Sequence, residues 1–335
     1  MICFSSCRSL PASQLNSTLF LFSDVDDLAN SLVAAGWAPR SRAGYASAVR
    51  RYLAFAHAHH FPPLPLTEQS LLRFVAHLHM QSLAPTTIRV YLSALRAWVI
   101  SLGGQEPQIW TPRVHLACRA ISRNHPLPIQ AAPLTYDLLS SIIHLLSSSQ
   151  DHLLIASALT LQFFACLRAS ELCTDLTNHI IPRRADVSFN SSSSSLIMLY
   201  TVHSSKTAPQ GFTVHVGCSR TPICAVCIMR LYLTTFPAPS SDPLFQFSSS
   251  QHLTYNHYNR IIKHLVQAIG LDPSIYSSHS LRAGAATQAA RAGLAPEAIK
   301  RLGRWKSQAY MLYMRPSPDA YADLAPALAS SPLHH

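Results

Sequence analysis

The chain has 335 residues, of which 48% are hydrophobic and 12% charged, with a formal net charge of +11. That length supports two domains with sizeable cores, and the composition excludes long disordered stretches. A positive balance built on few charges points to a polyanionic partner, nucleic acid first.

Residues 1–22 read as a loose tail, without the sustained apolar core of a signal peptide. From Ser23 to about Arg123 the pattern is helical. In "SRAGYASAVRRYLAFAHAHH", Tyr45, Ala48, Val49, Tyr52 and Ala56 recur at helical spacing, with Arg42, Arg50 and Arg51 off that stripe. In "APTTIRVYLSALRAWVISLGG", Pro85 suits a first helical position. Ile88, Tyr91, Leu92, Leu95 and Val99 form the apolar face, and Gly103 and Gly104 end the helix. The predicted unit, residues 23–123, is a small helical bundle whose outward faces present Arg40, Arg42, Arg50, Arg51, Arg89 and Arg96 to DNA phosphates.

"NHPLPIQAAPL" (residues 124–134) is Pro-rich and aperiodic, and reads as an interdomain linker. A second unit, residues 135–322, follows, with residues 323–335 as a tail. It begins with Thr135 as N-cap and Asp137 in the first turn. The most apolar run, Leu153 to Leu167, contains Ser, Thr and Gln and is too short to span a bilayer. It predicts a core helix ending near Arg168, and no membrane association. "SLIMLYTV" (Ser195–Val202) and "GFTVHV" (Gly211–Val216) predict a β-hairpin with Lys206 on its connection, and "NSSSSS" before it a solvated loop. After Cys227 the pattern is helical to about Tyr321. The expected fold class is mainly α with a small antiparallel β-sheet.

The cations at the ends of these elements form a chemical set. Arg168 lies in "CLRASEL", Lys206 on the hairpin, and His279 and Arg282 open a helix behind Ser277 and Ser278. His279 and Arg282, at i and i+3, are neighbours on a helix surface. A helix N-terminus adds anion-seeking backbone donors. Tyr313 ends the last helical run. Each residue alone has an ordinary reading: a helix end, a turn lysine, a capping histidine, a core tryptophan. Together they suit one phosphodiester. Arginine gives permanently charged, bidentate donors for its oxygens, each preorganised donor being worth about 100- to 1000-fold. A tyrosine hydroxyl, with an ordinary pKa of about 10, needs a base or a cationic field to ionise. Lysine can protonate the leaving oxygen, a role worth about 100- to 10,000-fold.

"CLRASEL", "SSKT", "HSLRAG", "LGRW" and "YMLYMR", in this order, resemble the catalytic domain of the tyrosine recombinases, the phage-integrase family, over about Thr135 to Ala322. The first helical region is similar to that family's core-binding domain. The resemblance implies a two-domain clamp on double-stranded DNA, metal-independent cleavage through a 3′-phosphotyrosine, and a homotetramer on two sites. It implies Arg168 as the first catalytic arginine and Glu171 as its supporting carboxylate. Lys206 becomes the hairpin acid, His279 and Arg282 the His-x-x-Arg pair, Trp305 a contact to the scissile phosphate, and Tyr313 the nucleophile. Tyr310, one turn away, is the alternative nucleophile; the "YMR" ending favours Tyr313. The style of "LGRWKSQAYMLYMRP" resembles recombinases of eukaryotic mobile elements. A non-catalytic DNA-binding protein on the same fold and a type IB topoisomerase are the competing readings. The filled catalytic positions argue against the first, and His279 and the separate helical domain against the second.

The eight cysteines include a scattered set (Cys3, Cys7, Cys118, Cys166, Cys173) that predicts reduced intracellular thiols, in the nucleus if the source is eukaryotic. "CSRTPICAVC" holds Cys218, Cys224 and Cys227 near His215, and thiolates at that spacing suit zinc. No complete second pair accompanies them, and Val226 and Ile228 predict a helix start that buries sulfur. No metal or other cofactor is therefore expected. The 18 histidines are dispersed and read as surface or partly buried. No arm-type domain or Lys/Arg localisation run is identified, and "DAYADLAPALA" predicts at most a short docking helix for tetramer assembly.

Overall fold

The computed structural model describes residues 22–37, 39–126, 131–175, 180–191, 196–205 and 208–312, with the backbone alone for 22, 23, 34, 39 and 40. Chain contacts divide it into two compact units, Met1–Leu127 and Pro128–His335. Lys206 and Tyr313 lie outside the described residues, as does the Arg40 side chain.

The first unit is helical: α1 (Phe22–Ala35), α2 (Pro39–Ala58), α3 (Glu68–Met80), α4 (Pro85–Ser101) and α5 (Pro112–Asn124). Local chemistry sets the boundaries. Thr67 caps α3 reciprocally with Ser70, at 3.1 and 3.0 Å. Thr111 accepts the Val114 N–H at 3.3 Å ahead of α5. Pro85 and Pro112 sit in the first turns of their helices, where a missing N–H costs nothing. Ala48, Tyr52 and Ala56 of α2 and Ile88, Leu92 and Leu95 of α4 are buried, as their periodicity requires. The exposed faces of the same helices present Arg42, Arg50, Arg89 and Arg96. Arg51 is half-buried, bonded to Gln81 and facing the Tyr91 ring at 6.0 Å, while Arg96 pairs with Glu106.

In the second unit, α6 (Tyr136–His144) leads to α7 (Gln150–Phe164), whose residues Leu153 to Phe163 are all buried. A helix covered on every side is held by packing rather than by propensity, each buried leucine contributing about 1.5–3 kcal/mol. Around it lie α8 (Ala225–Thr235), α9 (Tyr255–Ala268), α10 (Ser278–Arg291) and α11 (Pro296–Leu302). The antiparallel sheet runs in the order β1 (Val187–Ser191), β2 (Leu196–Val202), β3 (Phe212–Gly217), with Tyr200 opposite Val187 and Val214. The mainly-α reading with a small antiparallel sheet is thus the observed fold.

Three boundaries differ from expectation. The central helix stops at Phe164, short of Arg168, because Cys166 takes a left-handed conformation (φ 48°) and the Leu167 N–H closes onto the Gln162 carbonyl at 2.9 Å. The sheet has a third strand, β1, which includes Asn190 and Ser191 of the serine-rich run. Half-buried Val187 and Phe189 alternate with exposed Ser188 and Asn190, a run of four residues beside a serine tract, and β2 supplies its hydrogen-bonding edge. Helix is also interrupted between α8 and α9, where Pro237, Pro239 and Pro243 remove backbone donors.

The end of the linker segment enters the second unit. Leu134 is fully buried, and its N–H donates to the Ser280 carbonyl at 2.8 Å. This is the reason for Gly284 in "HSLRAG": a Cβ there would lie 1.8 Å from the Leu134 carbonyl oxygen. A Gly284→Ala substitution is expected to destabilise the protein by about 3 kcal/mol. Denaturant unfolding checks this, and an unchanged midpoint would show that the Leu134 strand yields freely.

Candidate active site

The site forms where α7 ends. Just past its last turn the left-handed Cys166 redirects the chain, and guanidinium groups from distant segments bind the backbone carbonyls there. Arg282, from α10, donates to the carbonyls of Cys166 and Gly303. Arg304, just after α11, donates to those of Ala165 (3.2 Å) and Cys166 (3.1 Å). The start of α10 is fixed by its Ser277 N-cap and by buried Gln162, which donates to the Ser278 carbonyl at 2.9 Å and accepts from the Tyr258 hydroxyl at 2.8 Å.

Glu171 lies in a 3-10 turn (Ala169–Glu171) that begins directly after Arg168. Its carboxylate is wholly buried. Arg168 reaches it twice, through its backbone N–H (2.8 Å) and its guanidinium (2.7 Å), and Arg304 reaches the other side at 3.3 Å. The Tyr200 hydroxyl donates to the Glu171 carbonyl at 2.9 Å, tying this turn to the centre of the sheet. Arg304 stacks over Phe212, the first residue of β3, at 4.6 Å. Arg282 stacks over Trp305 at 4.4 Å. Gly303 permits that arrangement, since a Cβ there would meet the Trp305 ring at 1.8 Å.

Of the four groups Arg168, Arg282, Arg304 and Glu171, three are cations and one an anion, so the set holds two positive charges in excess. Arg282 is 2% exposed. Burial, then neighbouring Arg168 and Arg304, pull its pKa down, while Cys166 and Glu171 oppose that shift. His279 presents its side chain at the surface one turn earlier. Partial burial, then the charges of Arg282 and Arg168, hold its imidazole below the ordinary histidine range. Such a histidine is neutral at neutral pH and can accept a proton.

The structure therefore brings together Arg168, Glu171, His279, Arg282 and Trp305 from segments far apart in sequence. Tyr310 is buried in a small cluster with Ala286, Ala289 and Ile299, its ring 6.3 Å from Trp305. Arg304 was missed from sequence. It stands inside the quoted "LGRW", and the available signal was a second arginine-sized cation beside a glycine; only the fold shows that it shares a carboxylate with Arg168.

Replacing Glu171 by Gln leaves two partly buried guanidiniums without their counter-charge. The expected loss of stability is about 3 kcal/mol, measurable by denaturant unfolding. A loss below about 0.5 kcal/mol, the size typical of a surface pair, would show that the carboxylate does not organise these arginines.

A family model described as the phage integrase family matches residues 133–317. Among solved structures, the chain resembles the Tn1549 transposon integrase in complex with transposon right end DNA, at 13% identity and TM-score 0.57, over 90% of this chain and 99% of that one. A lambda integrase dimer bound to a COC′ core site is similar at 16% identity and TM-score 0.57, over 88% and 95%. XerH recombinase bound to a palindromic difH substrate is similar at 15% identity and TM-score 0.54, over 79% and 71%. No curated protein matches the chain. Among the described residues, no helix is long and apolar enough to cross a membrane. The structural likenesses agree in fold with the family model, which spans more than half of the sequence, and the chain belongs to the phage integrase family of tyrosine recombinases.

Proposed function

We propose that the chain is a site-specific DNA recombinase that cuts and rejoins double-stranded DNA through a covalent 3′-phosphotyrosine. The supporting observation is the convergence of Arg168, Arg282 and Arg304 around one buried carboxylate, with His279 beside them. A cationic excess held on rigid elements favours the extra negative charge of a phosphoryl-transfer transition state.

In this reading the Tyr313 oxygen attacks the scissile phosphorus as its phenol proton passes to neutral His279. The bond from phosphorus to the 5′ oxygen breaks, and Lys206 gives that oxygen its proton. A 3′-phosphotyrosine and a free 5′-hydroxyl result. A 5′-hydroxyl from the partner strand then attacks the same phosphorus, giving its proton to Lys206, and expels the tyrosine, which regains its proton from His279. Charge neutralisation comes from the guanidiniums, so the step needs no metal ion. Tyr310 serves as packing, which leaves Tyr313 as nucleophile. Arg42, Arg50 and Arg51 on α2, and Arg89 and Arg96 two turns apart on α4, contact DNA phosphates, together with Arg40. Four protomers would assemble on two DNA sites, each exchanging strands through such an intermediate.

A DNA substrate nicked near its cleavage point traps the covalent species. Wild type and Tyr310→Phe are expected to form the adduct, and Tyr313→Phe none. An adduct in Tyr313→Phe, or tight DNA binding by wild type without any adduct, sinks the assignment.

His279 supplies a second check. Its pKa in the free protein is depressed below about 6.5, and a bound phosphodiester favours the imidazolium and raises it. Between the two values binding takes up a proton; well above both it takes up none. Calorimetry on the Tyr313→Phe protein is expected to show buffer-dependent enthalpy near pH 6.5, lost near pH 8. Adding His279→Gln should remove most of that uptake. Equal uptake with and without His279 would detach this residue from the phosphate.

A further inference from the structure

Three cysteines lie together away from the arginine site. Cys218 follows the end of β3, Cys224 is the N-cap of α8, and Cys227 lies in the first turn of that helix. Their sulfurs all fall within 4.8 Å of one another. Cys218 Sγ is 3.7 Å from Cys227 Sγ and 3.6 Å from Cys224 Sγ. Tetrahedral zinc with Zn–S bonds of about 2.3 Å holds its sulfurs about 3.8 Å apart. The spacing is therefore that of thiolates around one ion. A disulfide requires sulfurs about 2.0 Å apart, and a single one would leave the third thiol unmatched.

Burial separates this arrangement from ordinary packing. A helix start that simply buried its sulfurs would hide Cys227, yet Cys227 is exposed, Cys218 half-buried and Cys224 buried. The group thus opens from the protein to solvent on one side. The Ser219 N–H donates to Cys224 Sγ at 3.4 Å, an interaction that favours a thiolate. Arg220 adopts a left-handed conformation (φ 55°), folding the loop so that its two ends meet. The incomplete second pair leaves three thiols for one ion, and the exposed side leaves room for water as the fourth ligand.

We propose that Cys218, Cys224 and Cys227 bind a zinc ion, with a water in the fourth position on the exposed side. On binding, each thiol releases its proton to solvent and forms a sulfur–zinc bond; no oxidation is involved. The ion would staple the end of β3 to the start of α8, restraining the strand that also bears Phe212 against Arg304. The assignment is independent of the DNA chemistry.

The test uses the full untagged chain, purified under reductant and measured for metal by mass spectrometry. About one zinc per chain should survive gel filtration. Cobalt substitution should give thiolate-to-cobalt charge-transfer absorption. Cys227→Ser, at an exposed position that tolerates the change, should lower zinc affinity at least about tenfold and weaken that absorption. Cys118→Ala in the helical unit should retain both, and circular dichroism verifies that each variant is folded. Free, alkylatable thiols at all three positions with no retained zinc would overturn the proposal. So would a disulfide between any two of them, or undiminished zinc in folded Cys227→Ser.

Discussion

The buried carboxylate of Glu171, set just beyond the end of α7, is the contact on which the second unit's charge arrangement depends. Removing a carboxylate from water costs several kcal/mol unless it is paired and hydrogen-bonded. Here the turn that contains it supplies one backbone N–H and one guanidinium, and the chain brings a second guanidinium from beyond α11. The geometry holds only because α7 stops at Phe164. The left-handed turn at Cys166 that ends the helix places the Ala165 and Cys166 carbonyls within reach of Arg282 and Arg304.

Close packing turns that contact into a rigid site. The backbone of Leu134 presses against Gly284, and the Trp305 ring against Gly303, at distances no Cβ would allow. The buried Gln162 side chain joins the closing turn of α7 to the first turn of α10. Tyr200 anchors the Glu171 turn to the middle strand, while Phe212 on the outer strand stacks on Arg304. Helices, sheet and glycines together hold three like charges near one another before any ligand arrives. Their mutual repulsion is a cost that a bound anion would relieve.

Much of this was readable in order along the chain. The apolar stripes of α2 and α4, the proline starts, and the hairpin strands β2 and β3 follow from local period and turn chemistry. So does a helix opening behind Ser277 and Ser278 with His279 in its first turn. What escaped was non-local. The short strand β1 pairs along the edge that β2 offers it, and Arg304 matters because Glu171 lies across a fold from it. The three cysteines of "CSRTPICAVC" were visible together in the sequence, but the closeness of their sulfurs and the exposure of Cys227 were not.

The sequence by itself determined the fold class, the helical first unit, and the family's motifs in their order, because periodicity, capping and motif spacing are properties of neighbours along the chain. The tertiary structure alone decided which charges meet and which backbone carbonyls Arg282 and Arg304 bind. Those outcomes depend on burial and on approach distances between segments more than a hundred residues apart, where a single glycine or a helix ending four residues early changes which atoms come into contact.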